Sequence, residues 1–365
     1  MASTSFFNRL LLAPALTSRN GKLACAAAVP IVILLFKVLS SKPAPVLPPL
    51  PKGVQRIYIP AGDKKEQLEL LVAEAGPYES EGTEEEAKAP LLFVHGGYGS
   101  AFCWTHWITY FSQRGRKVYA ISLSGHGRST RPWFFTLRTK FYFAQDVLSA
   151  LDYISSQRPA ASPLLVGHSA GGGLSQYIVH KYGLELKAES KLSGLVLVSP
   201  FPPTGGIPVY LNWLRLDPFL FIRMFLRLGD PSTVLDTPKR VSRAFFGREY
   251  TSLHSSTRSE PDTVPDGFMG QMNKEESIVW PSGMMLPFVD TRRVLRHITF
   301  GVMQRIYLIA GSDDALMSPN IMKDMNGKYG CGVGFIEGAG HHLMQDKQWK
   351  DGAQVLENKL TEWGI

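Results

Sequence analysis

The residues best placed to do chemistry lie at 164–171. There Leu-Leu-Val-Gly-His-Ser-Ala-Gly carries an apolar run into Gly167-His168-Ser169-Ala170-Gly171. A serine at the tip of a strand-to-helix turn sits in a strained backbone, and glycines two residues to either side give the turn its clearance. The flanks suit this reading. Pro163 to Val166 reads as a β-run, and Leu174, Tyr177, Ile178 and Tyr182 recur at helical spacing before Gly183, a C′ glycine. The competing reading is a glycine-rich turn without chemistry. Strand, helix and a further glycine at Gly172 weigh against it.

A serine hydroxyl is a weak nucleophile at its own pKa, so it needs a base, and the base needs an orienting carboxylate. In strand–turn–helix architectures of this kind the order is serine, acid, histidine. The C-terminal part of the chain supplies both. Arg305 to Ala310 reads as a buried strand before Gly311-Ser312-Asp313-Asp314. A second run, Gly332 to Ile336, ends in Glu337-Gly338-Ala339-Gly340-His341-His342. Both sets follow strands, where the carboxyl ends of a parallel sheet converge on one crevice. Chemistry alone does not separate the neighbours Asp313 and Asp314, or His341 and His342.

Four separated motifs, in order, resemble the α/β-hydrolase family over roughly residues 55–365. They are His95-Gly96-Gly97-Tyr98-Gly99 after Leu91 to Val94; Ser124-Gly125-His126-Gly127-Arg128-Ser129 after Lys117 to Leu123; the serine turn; and Gly311 to Asp314 with Gly340-His341. The resemblance implies an α/β fold, a mostly parallel twisted sheet flanked by helices, with an inserted helical cap. It implies Ser169 as nucleophile, His341 as general base through the Gly-His pair, and Asp314 as the acid three residues after Gly311. Some members place the acid after the strand that follows the serine helix. Here Gly194 to Ser199 runs into Pro200-Phe201-Pro202-Pro203 and the next acid is Asp217, which makes that site unattractive. The same logic gives an oxyanion hole from the backbone N–H groups of Ala170 and Gly97. His95 and His126 read as loop fasteners and His168 as a pocket-wall residue. One departure stands out: many members carry an Asp two or three residues before Gly125, where this chain has Ser122-Leu123-Ser124.

Composition narrows the rest. The net charge of +8 invites a nucleic-acid partner, but residues 1–62 hold seven basic and no acidic residues. Subtracting those seven from 39 leaves 32 basic against 31 acidic residues, so the body is nearly neutral and the nucleic-acid reading fails. Three cysteines demand no disulfide, no Asn-x-Ser/Thr acceptor occurs, and no metal-ligand, P-loop or dinucleotide spacing is present. No cofactor and no metal are expected.

Residues 1–53 read as a leader. Leu23 to Phe36 is uncharged, and with Lys37 snorkelling the stretch 23–39 spans about 25 Å as a helix. An acid-free segment with Arg9 and Arg19 precedes it, and a stiff proline-rich spacer, Lys42 to Pro51, follows. A cleaved signal peptide is the alternative. The expectation is a single-pass N-terminal membrane anchor, in endoplasmic reticulum or mitochondrion. The run Glu79 to Glu86 reads as a solvated loop.

The core then divides into 54–200 and 291–365 around a cap insertion at 201–290. Asp217-Pro218 reads as a helix start and Gly229 as its stop, with Phe219 to Leu228 polar only at Arg223 and Arg227. A helix apolar almost all round is sandwiched in the core, lines an acyl pocket or touches lipid, with the two arginines facing headgroups. The polar stretch 247–273 suggests a partly mobile cap. The expected function is a serine hydrolase cleaving a carboxylic ester of a hydrophobic, lipid-like substrate through an acyl-enzyme. A thioesterase or C–C bond hydrolase on the same residues, and a non-catalytic binding protein of this fold, are the rivals.

Overall fold

The computed structural model describes residues 42–62, 65–77, 88–157, 162–227, 229–248, 264–265 and 267–365. Ten strands are described: β1 (Val54–Pro60), β2 (Gln67–Ala73), β3 (Leu91–Val94), β4 (Val118–Ile121), β5 (Leu164–His168), β6 (Gly194–Val198), β7 (Thr299–Phe300), β8 (Met303–Gln304), β9 (Ile306–Gly311) and β10 (Val333–Ile336). Eight form one sheet in the order β1-β2-β4-β3-β5-β6-β9-β10, and β7 and β8 form a separate pair. β1 and β2 join antiparallel, as do β2 and β4, and the remaining ladders of the large sheet are parallel. This is the mostly parallel α/β sheet that the sequence motifs imply.

Strands covered on both faces must be apolar at every position, and β3, β4, β5 and β6 are buried throughout. Because successive side chains alternate, Leu91 and Phe93 enter one core while Leu92 and Val94 enter the other. The first core is closed by α1 (Thr105–Ser112) together with the C-terminal helix. The second is closed by α2 (Lys140–Gln157) and α3 (Ser169–Ala188). Between β6 and β7 come α4 (Ile207–Leu216), α5 (Leu220–Leu226), α6 (Pro238–Phe245), α7 (Phe268–Gln271), α8 (Val279–Ser282) and α9 (Thr291–His297). α10 (Pro319–Tyr329) and α11 (Trp349–Glu362) complete the core.

Expectations for two helices need correcting. α3 does not stop at Gly183 but runs on to Ala188. A Cβ on Gly183 would lie 2.8 Å from His297 Cβ. The glycine serves close packing against α9, and a C′ signal and a packing glycine look alike in sequence. Asp217 does not cap α5 directly: Phe219 occupies that position, and the helix covers 220–226. Nor is α5 sandwiched. Phe219, Phe221, Ile222, Phe225 and Leu226 are all exposed, and Leu220 is the buried residue of the helix. Its arginines face carboxylates rather than headgroups: Arg223 pairs with Asp217 and Arg227 Nη1 lies 2.9 Å from Asp236 Oδ2.

The single-pass anchor in endoplasmic reticulum or mitochondrion is also corrected. Among the described residues no helix is long and apolar enough to cross a membrane. The apolar run 23–39, the acidic run 79–86 and the polar residues 249–263 lie outside the described residues.

Candidate active site

Ser169 opens α3 directly from the end of β5, with φ of 52°. That left-handed conformation is uncommon for a residue with a Cβ and costs of order 1–3 kcal/mol, so the surroundings must enforce it. The surroundings are tight. A Cβ on Gly171 would fall 2.1 Å from the carbonyl oxygen of His95, so only glycine lets the turn nest against the loop after β3.

The residues expected to act together do meet. His341 Nε2 lies 2.9 Å from Ser169 Oγ, and His341 Nδ1 lies 2.9 Å from Asp314 Oδ2. The imidazole is 2% exposed and Asp314 3%. The other carboxylate oxygen, Asp314 Oδ1, accepts the N–H groups of Leu316 and Met317, each at 2.8 Å. Asp314 is thus fixed on both oxygens, and its acceptor calls the proton of His341 to Nδ1, which leaves Nε2 free to accept from Ser169.

The neighbours separate by environment. Asp313 Oδ2 accepts from Arg248 N–H at 3.1 Å. His342 Nε2 bonds Gln345 Oε1 at 2.9 Å, its ring stacks on Phe245, and burial lowers its pKa to about 3. Asp217 is committed to Arg223 and Arg240.

His95 fastens loops, as expected: Nδ1 bonds the Gly96 carbonyl at 2.7 Å and Nε2 accepts from Leu123 N–H at 3.1 Å. His168 is not pocket wall. It lies behind the site and donates from Nε2 to the His341 carbonyl at 2.9 Å. Burial, then the neighbouring imidazoles His341 and His342, hold its pKa well below the ordinary 6.5, so His341 is backed by a neutral ring.

Gly97 follows β3 and Ala170 follows Ser169; both line one cavity with Ser169 and His341. Ala170 stands in the first turn of α3, where backbone N–H groups lack intrahelical acceptors. The cavity measures about 1040 Å³ including its open mouth, and its wall is mainly apolar, with Phe201, Tyr210, Trp213, Leu220, Phe221, Met224 and Leu316 contributing. Sequence reasoning missed three buried acids near it. Asp346 Oδ2 accepts Gly340 N–H at 2.7 Å and Gly247 N–H at 2.9 Å, which holds the histidine loop. Glu69 Oε2 accepts from Ser122 Oγ and Arg128 N–H, which places a carboxylate beside the 122–128 loop where the local motif has serines. Glu276 lines the cavity itself. A lone charge in the apolar β2 run was the available signal for Glu69; Asp346 and Glu276 carry none in the sequence.

A mostly parallel sheet with serine, acid and histidine gathered at its carboxyl edge defines the α/β-hydrolase class. The model of the alpha/beta hydrolase family matches residues 91–354, and the chain belongs to that family. A bifunctional esterase/perhydrolase from Acinetobacter calcoaceticus is 34% identical over 116 residues, 32% of this chain and 38% of that protein. A 1-acylglycerol-3-phosphate O-acyltransferase from Sus scrofa is 30% identical over 231 residues, 58% of this chain and 59% of that protein. The chain therefore spans less than two thirds of the length of these relatives. Among solved structures, a thermophilic esterase from Thermogutta terrifontis superposes with a TM-score of 0.55 at 17% identity, covering 84% of this chain and 98% of that one. A haloalkane dehalogenase from Agrobacterium tumefaciens gives 0.57 at 14%, covering 85% and 97%. At such identities the likeness is one of fold.

Proposed function

We propose that the protein is a serine esterase that cleaves a carboxylic ester of an apolar substrate through an acyl-enzyme. Supporting this reading above all is the unbroken relay from Asp314 through His341 to Ser169, at 2.9 Å per step, opening into an apolar cavity. Ser169 Oγ attacks the carbonyl carbon while its proton passes to His341 Nε2. His341 returns that proton to the leaving alkoxide as the C–O bond breaks, and the acyl group stays on Ser169. Water then attacks the acyl carbon, gives a proton to His341, and the acid leaves as Ser169 recovers its hydrogen. The N–H groups of Gly97 and Ala170 donate to the oxyanion in both halves, and losing one such donor costs about 3 kcal/mol.

The serine disfavours the haloalkane chemistry of the dehalogenase neighbour, which calls for a carboxylate nucleophile at this position. The named activities of the esterase and acyltransferase relatives both concern acyl groups, which agrees with an acyl-enzyme. A fluorophosphonate probe tests the proposal. The folded protein should be labelled at Ser169 and hydrolyse p-nitrophenyl esters. Absence of labelling, under conditions that label a control esterase, overturns the enzyme reading.

A further inference from the structure

The loop that carries Gly97 is held from outside the core. Tyr98, the next residue, has φ of 60°, a left-handed conformation that a bulky aromatic residue keeps only when its surroundings impose it. Three hydrogen bonds impose it, and all three partners come from the segment between β6 and β7. Tyr98 N–H donates to Glu276 Oε2 at 2.8 Å, its carbonyl accepts from Asn273 N–H at 2.9 Å, and its hydroxyl donates to the Pro231 carbonyl at 2.7 Å.

Two of these residues, Asn273 and Glu276, also grip a second core loop. Asn273 Oδ1 accepts Gly127 N–H at 3.2 Å and Nδ2 donates to the Gly125 carbonyl at 3.3 Å. Glu276 Oε2 lies 3.3 Å from His126 Nε2, and its Oε1 accepts Ser277 N–H at 2.8 Å. Glu276 is 2% exposed, so these contacts take the place of water. Its Oε2 also stands 3.3 Å from where a Cβ on Gly97 would be, so the carboxylate packs directly against Gly97. A carboxylate so close to a developing oxyanion is electrostatically unhelpful in itself. Its place there calls for another use.

We propose that Glu276 is a positioning residue. With Asn273 it locks the Tyr98 peptide so that Gly97 N–H points at the oxyanion, and the oxyanion hole is complete only while the segment 273–276 is seated. The proposal rests on the esterase reading above. Removing the carboxylate leaves Tyr98 N–H buried without an acceptor and frees the left-handed peptide to relax, which turns the Gly97 donor away. Glutamine keeps one carbonyl acceptor at the same reach for Tyr98 N–H and gives up only the second, which accepts Ser277 N–H.

The test is steady-state kinetics of the full chain on p-nitrophenyl acetate, which is too small to depend on the apolar cavity. Glu276→Ala should lower kcat about 10- to 100-fold with KM within about threefold, as for a donor used only in the transition state. Glu276→Gln should recover to within about fivefold of wild type. A trifluoromethyl ketone, whose adduct places an oxyanion in the hole, should lose affinity in parallel with kcat/KM. Equal losses in the Ala and Gln variants, or a rise in KM alone, would overturn the positioning role. If Glu276→Ala fails to fold, Asn273→Ala carries the same expectation with a loss of about 5- to 20-fold, and an unchanged kcat there overturns the proposal. Wild-type turnover separates the two claims. An inactive wild type removes the esterase reading and this inference with it, whereas an active wild type with an undiminished Glu276→Ala removes this inference alone.

Discussion

At the scale of single residues, the relay makes a claim about coupling rather than about any one side chain. Ser169, His341 and Asp314 are joined in series, so breaking one link leaves the others with nothing to do. Ser169→Ala and His341→Ala should each remove nearly all ester hydrolysis, and the double variant should lose little more than either single one. Asp314→Asn should fall far below Asp313→Asn, because Asp313 bonds the Arg248 backbone and does not touch the imidazole. Measured kcat/KM values for the four single variants and the double variant check both statements; additive losses, or the reverse order of the two asparagine variants, would contradict the assignment. Much of this was legible in the sequence, because each residue follows an apolar strand and sits beside diagnostic glycines. The choice of His341 over His342 came only through the resemblance, from the Gly-His pair, and not from the chemistry of the two residues. It depends on which ring reaches Ser169 and which stacks on Phe245, and adjacent residues differ in that only after folding.

At the scale of elements, the β-runs were legible because full burial demands unbroken apolar stretches: the expected run Gly194 to Ser199 is β6, and Arg305 to Ala310 is β9 within a residue at each end. Helix ends and helix environments were less so: Gly183 answers to His297, far away in the chain, and the surroundings of α5 are set by how the segment packs rather than by its own apolar pattern. α5 also divides its own apolar residues. Phe221 and Met224 line the cavity, whereas Phe225 is 80% exposed and lines none of it. Phe221→Ser should therefore depress turnover of long-chain esters while sparing p-nitrophenyl acetate, and Phe225→Ser should alter neither by more than about twofold. A chain-length series on the two variants decides. Equal loss on short and long esters for Phe221→Ser would mean that the residue supports the fold rather than the substrate.

At the scale of the whole molecule, buried titratable groups set the response to acid. His95, His168 and His342 are fully buried with pKa values depressed by desolvation, so the folded state binds fewer protons at these sites than the unfolded state below the ordinary 6.5. The stability they contribute is present above 6.5 and is lost as pH falls, until the folded-state pKa, about 3 for His342, is reached. Asp146 opposes them: burial raises it from 3.8 to about 7, so in that window the folded state holds a proton the unfolded state lacks. Asp346, also raised by burial, adds to the opposition. His106 and His180, also lowered by desolvation, act in the same direction as the three buried histidines, so the histidines outnumber the opposing carboxylates and unfolding takes up protons as pH falls below 6.5. This predicts a stability that declines as pH falls from about 6 to 4. Urea unfolding midpoints across that range check it, and a flat profile would contradict the sign. None of this balance was visible in the sequence, where nothing marks these histidines and Asp146 as buried.

β6 and β9 are adjacent and hydrogen-bonded in the sheet, although about a hundred residues separate them in the chain. The excursion leaves and re-enters the sheet at the same seam, so the sheet's connectivity imposes no length on it. On topology alone, evolution or an engineer could exchange that segment freely to graft a new specificity onto an old core. Tyr98 forbids such free trade. Its backbone and hydroxyl are held by Asn273, Glu276 and Pro231, so a transplanted segment brings the right appetite for substrate but an idle core unless it also brings those handholds.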